Sequence, residues 1–116
     1  MSILAGVLVA LVAVLHLGFL VLEMFLWTKP AGLKTFRLTP EFAAQSRALA
    51  ANQGLYNGFL AAGLVYGLAT QSREIVWMFL VFVIVAGAYG AATVNKRIFF
   101  IQAFPAIIAS VLVGWR

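Results

Sequence analysis

The chain has 116 residues, 65% of them hydrophobic and only 9% charged, with a formal charge of +5. A soluble domain carries roughly 25% charged residues, and the few charges here cannot cover the large surface that so small a domain presents to water. Disorder, which needs low hydrophobicity and high charge, is excluded as well, and the absence of cysteine removes disulfides, thiolate nucleophiles and thiolate metal ligands.

The composition predicts an all-α membrane protein, a four-helix transmembrane bundle with short loops, over residues 1–116 as a single domain. The first apolar run covers residues 3–27, broken only by His16 and Glu23. At 1.5 Å per residue it exceeds the ~20 residues needed to cross a bilayer. It has neither the basic start nor the short apolar core of a cleavable signal peptide. A polar connection with Lys29, Pro30, Gly32, Lys34 and Arg37 follows.

Thr39-Pro40-Glu41 then opens a second helix over residues 40–69: a hydroxyl at the N-cap, a proline at the first helical position and an acid at the positive dipole end. Its first turns hold Glu41, Gln45, Ser46 and Arg47, so its embedded part is expected to begin near Ala48. The short loop around Ser72 makes the second and third helices antiparallel neighbours. The third helix is expected over residues 75–94 and the fourth over 98–115, with Pro105 kinking the latter.

Lys29, Lys34, Arg37, Arg47, Lys96 and Arg97 fall on one side of this layout, and Arg73 and Arg116 on the other. The positive-inside rule therefore places the first group in the cytoplasm and both termini outside the cell (inner) membrane. Trp27, Trp77 and Trp115 mark helix ends, where an aromatic belt belongs. Basic residues scattered singly or in pairs between apolar stretches point to a lipid bilayer as partner and not to nucleic acid. Gly54, Gly58 and Ala62, and separately Gly63 and Gly67, repeat small residues every fourth position. This face of the second helix would seat a homodimer partner or, more plainly, another helix of the same chain.

Chemistry belongs to the polar side chains within the spans, because an unpaired carboxyl or imidazole there costs several kcal/mol. His16 and Glu23 lie two turns apart on one face, about 10 Å along the axis. The second helix supplies Asn52, Gln53, Tyr56 and Asn57. Running the two helices antiparallel from Trp27 and Gln45 sets His16 level with about Tyr56 and Glu23 level with about Leu49. These six residues form the candidate ligand- or proton-binding site, with Gln102 able to approach the same layer. Glu23 could instead pair with Arg47, and His16 could be interhelical glue. One histidine and one embedded acid are too few for a closed zinc site, although a homodimer would double the count, and no metal, catalytic group or cofactor is assigned.

The combination of His16 and Glu23-Met24-Phe25-Leu26-Trp27 with the stretch Ala51-Asn52-Gln53-Gly54-Leu55-Tyr56-Asn57-Gly58-Phe59-Leu60-Ala61 resembles the membrane-protein family known as domain of unknown function 1304. The resemblance covers nearly the whole chain. It implies a four-helix membrane protein with the His/Glu and Asn-Gln-Tyr-Asn positions as signature residues, and it implies no activity. The polar residues admit three readings: a pocket for a small lipid-phase ligand or a proton, a small dimeric proton-coupled transporter or channel, and an accessory subunit whose polar cluster only sets helix register.

Overall fold

A computed structural model describes residues 1–114, with residue 99 described through its backbone alone; Trp115 and Arg116, expected at the last helix end, lie outside the described residues. Ser2 opens α1 (Ile3–Met24) by accepting the Ala5 N–H on its hydroxyl at 3.1 Å. The helix stops at Met24, three residues before the expected end at Trp27. The connection beyond it is not merely polar loop, for it contains a seven-residue helix, α2 (Pro30–Phe36). Alone, so short a helix would be unstable in water. Tertiary contacts hold it: the Trp27 and Phe36 rings pack 5.0 Å apart, and Gly32 lies so close to Leu26 that a Cβ would sit 2.0 Å from that residue's carbonyl oxygen.

Arg37 ends α2 in the left-handed conformation, φ 54°, and the N–H groups of Arg37 and Leu38 both donate to the Leu33 carbonyl. Thr39 then caps α3 (Pro40–Ala69), its hydroxyl accepting the Phe42 N–H at 3.2 Å. A Schellman turn closes α3: Ser72 N–H reaches the Gly67 carbonyl and Gln71 N–H the Leu68 carbonyl, with Gln71 at φ 55°. Ser72 at once caps α4 (Arg73–Thr93) by accepting the Ile75 N–H. Asn95 starts α5 (Lys96–Gly114), its side-chain oxygen accepting the Arg97 N–H at 2.8 Å.

Within α5 the backbone widens into a π-helical turn over Phe99–Ala103 before returning to α-helix at Phe104–Gly114. Pro105 explains the position of this turn: it has no N–H to offer the preceding turn, and its ring would collide with the carbonyl four residues back. The wider turn relieves both problems. Where a kink was expected at Pro105, the helix carries a π turn that includes Gln102. Among the described residues there are five helices, one more than the four expected, and no strand. Three of them, α1, α4 and α5, are long and apolar enough to cross a membrane.

The helices form two compact units. One takes Met1–Val14 and the chain from Leu60 onward. Its core joins Ala5, Val9 and Val12 of α1 to Leu64 of α3, Val76, Leu80 and Val83 of α4, and Ala106, Ala109 and Val113 of α5. Spacings of three and four residues put each set on one helix face. Helices α3 and α4 run antiparallel here, since Gly63 meets Phe79 while Gly67 meets Val76. Helices α4 and α5 do the same: Gly87 abuts the Ala103 backbone, Gly90 meets Ile98, and the Arg73 guanidinium donates to the Val113 carbonyl at 2.6 and 3.1 Å. Arg73 therefore caps the last turn of α5, a role its place in a loop does not announce.

The other unit, Leu15–Phe59, joins the second half of α1, the connection with α2, and the first half of α3. It carries the residues of interest.

Candidate functional site

Glycine sets how closely α1 and α3 approach in the Leu15–Phe59 unit. A Cβ on Gly54 would come 2.7 Å from Met24 Cγ, 3.1 Å from Glu23 Cβ and 3.2 Å from the Leu20 carbonyl oxygen, and one on Gly58 would come 2.6 Å from Leu20 Cδ1. The small-residue spacing noted in the sequence is thus occupied within the chain at Gly54 and Gly58, and in the other unit at Gly63 and Gly67. Leu20 opposite Gly58 and Met24 opposite Gly54 make the pair antiparallel.

That approach brings Glu23 and Asn57 together. Both are buried, at 8% and 6% exposure, and the Asn57 side-chain N–H donates to Glu23 Oε1 at 2.5 Å. The partner of Glu23 is Asn57 and not Arg47, which is exposed on α3. The level of Glu23 is near Gly54, about five residues from the Leu49 level expected of a helix running to Trp27. The outer anchor of that expectation is sound, because the Trp27 indole N–H donates to Ser46 Oγ at 3.0 Å. The difference arises at the end of α1: residues 25–27 are turn and bend, so the helical rise of about 1.5 Å per residue does not carry from Trp27 to Glu23.

His16 is fully buried, and its ring packs edge-on against Phe19 at 5.3 Å. It shares the buried side of α1 with Glu23, two turns away, and Glu23 is bonded to Asn57 instead. The remaining three candidates do not join the pair. Asn52, Gln53 and Tyr56 are exposed, and Tyr56 stacks edge-on with Phe59 at 5.9 Å. At 100° per residue, Asn57 shares a face with the packed Ala43, Ala50 and Gly54, while Asn52 and Tyr56 point to the far side. Among the described residues no three His, Cys, Asp or Glu side chains gather as metal ligands, and no buried side-chain nitrogen or oxygen lacks a hydrogen-bond partner.

A family model described as "Protein of unknown function (DUF1304)" matches residues 10–114. The chain belongs to this family. A DUF1304 chain of this length also has a similar relative in Lactococcus lactis subsp. lactis (strain IL1403), described as "Uncharacterized protein YpaA". The two are 34% identical over 113 residues, covering 94% of this chain and 95% of the relative. No solved structure matches. The DUF1304 match spans both halves of the Glu23–Asn57 contact and the glycines that permit it. Sequence reasoning overlooked Trp27 and Ser46 as an anchor. An indole followed closely by a proline-led basic turn was the available signal.

Proposed function

We propose that this DUF1304 chain is an integral protein of the cell (inner) membrane, with α1, α3, α4 and α5 crossing the bilayer. The loops after α1 and α4 then face the cytoplasm, and both chain ends lie outside. The apolar surface of the helices supports this reading: Leu11, Val14, Phe82, Val85 and Phe100 are all exposed, a cost in water and none in hydrocarbon. The α4 and α5 contacts use Gly87, Gly90 and alanines, as helix association in lipid requires when lipid tails remove the hydrophobic drive.

In this reading Glu23 and Asn57 form an intramembrane polar centre that takes up a proton or the polar head of a small lipid-phase ligand. The observation that carries it is a carboxyl and a carboxamide joined to each other in an otherwise apolar helix contact. Apolar side chains of the same shape would pack there at no polar cost. A ligand at this centre must replace the donor that Asn57 supplies, so it carries an N–H or O–H for the Glu23 carboxyl. A quinol-like or isoprenoid alcohol head meets that need. His16, on the same side of α1, is the second titratable group of the centre.

The test is lipid analysis of the purified chain together with proton flux in proteoliposomes. A bound donor lipid or a proton flux in the native chain, lost in Glu23→Gln and Asn57→Leu, supports the centre. A second reading has its own observation: every buried side-chain polar atom among the described residues is already partnered, which suits a helix-register lock. If both variants alter unfolding alone, with ligand content and flux unchanged, the lock is the better account.

A further inference from the structure

The basic residues of the Leu15–Phe59 unit do more than their charge sign requires. Lys29, Lys34, Arg37 and Arg47 are all exposed, and none of their side chains has a hydrogen-bond or ion-pair partner among the described residues. The one carboxylate between Lys29 and Arg47, Glu41, is four residues beyond Arg37 and exposed as well. Two contacts bring their segments together. The Trp27 indole touches both Phe36 and Ser46, which joins the end of α2 and the first turns of α3, the segments that carry Arg37 and Arg47. Lys34 and Arg37 are three residues apart around the last turn of α2, a spacing at which like charges repel.

Arg37 adds a separate argument. It holds the left-handed C-cap position, φ 54°, where glycine is the residue of least cost and a side chain is disfavoured. A long cation at a position that favours glycine, beside a second cation that repels it, is a local disadvantage on two counts. An anion between them removes the repulsion and gives the guanidinium a bidentate partner.

We propose that the Lys29–Arg37 turn, with Arg47 beside it, binds the phosphate of an anionic phospholipid headgroup and so holds α2 at the membrane surface. This rests on the membrane reading above, because only then does the turn face headgroups. Charge complementarity names the occupant: a cationic, unpartnered turn meets a leaflet whose anionic lipids attract Lys and Arg near its surface.

Native mass spectrometry of the full chain, purified from vesicles of phosphatidylcholine with equal phosphatidylglycerol, reads the binding directly. The expected result is retained phosphatidylglycerol in preference to phosphatidylcholine, reduced about fivefold for each cation removed from the turn. Lys34→Gln and Arg37→Gly are the variants. The second is expected to raise the unfolding midpoint while lowering lipid retention, which separates binding from folding. The pair Lys96→Gln with Arg97→Gln removes equal charge elsewhere and is expected to keep the preference.

Unchanged retention in Lys34→Gln with Arg37→Gly overturns the proposal, as does an equal loss in the Lys96 and Arg97 variant, which would mean general attraction only. Extraction of cell membranes with alkaline carbonate tests the membrane reading by itself. Release of the chain there would refute that reading, whatever the lipid result.

Discussion

Removing Asn57 alone should cost more than the Glu23–Asn57 contact is worth. The two groups are 8% and 6% exposed, so water cannot replace either partner. Interhelical hydrogen bonds in membranes contribute a net ~0.6 kcal/mol on average, whereas a buried polar group stripped of its partner costs ~1–3 kcal/mol, more when charged. Asn57→Leu keeps a branched side chain at the contact but leaves the Glu23 carboxyl unsatisfied, so it should destabilise by ~1–3 kcal/mol. Glu23→Met together with Asn57→Leu removes both polar groups and should remain within about 1 kcal/mol of the native chain. The double variant is therefore expected to be more stable than Asn57→Leu alone. Unfolding of the purified chain in mixed micelles, followed by far-UV circular dichroism, completes the double-mutant cycle. Additive losses in the double variant, or an Asn57→Leu chain as stable as the native one, would refute the reasoning.

Glycine substitutions should divide by position. Nothing lies within 4 Å of a Cβ at Gly18, so Gly18→Ala should stabilise by ~0.5–1 kcal/mol in the same unfolding assay. Gly54→Ala would place its methyl against Met24, Glu23 and the Leu20 carbonyl and should destabilise by ~1–3 kcal/mol. Gly32→Ala has no soft neighbour to displace, because the nearest atoms are the Leu26 and Trp27 backbone; it should unseat α2 and red-shift Trp27 emission in a chain whose other tryptophans are phenylalanine. Arg73→Met should free the Val113 carbonyl and speed amide hydrogen exchange in the last turn of α5, at a cost below ~3 kcal/mol.

The all-α class was legible because the apolar runs beginning at 3, 73 and 96 continue for 22, 21 and 19 residues, far beyond the usual length of a strand. The features that stayed hidden are those made by tertiary contact. Helix α2 is too short to signal itself by periodicity, and it depends on Gly32 and on the Trp27–Phe36 contact. Arg73 looked like a topology marker because a loop charge carries no sign of the carbonyl it caps.

At the polar centre, Glu23 stood out as an acid within an apolar run, but its donor had to be chosen from four neighbours. The sequence did hold the deciding pattern. Ala43, Ala50 and Gly54 mark the close-packed face of α3, and of the four Asn57 lies nearest to it, about 40° from the centre of that face where Gln53 is about 80° away. Treating Asn52, Gln53, Tyr56 and Asn57 as one wall ignored that 100° separates each residue from the next.

The π turn at Phe99–Ala103 also bears on how this chain tolerates length changes. A π turn holds one residue more than the α-helical turn it replaces, so it absorbs an extra residue without displacing the rest of the helix. Ala106, Ala109 and Val113 keep facing the core because that residue is taken up upstream. Deleting one residue inside this turn should therefore be accommodated by closing it to α-helix, at the expense of strain against Pro105. The same deletion after Phe104 would rotate the rest of α5 by about 100° and turn its core alanines outward. The turn thus marks the place in the last helix where a residue can be gained or lost.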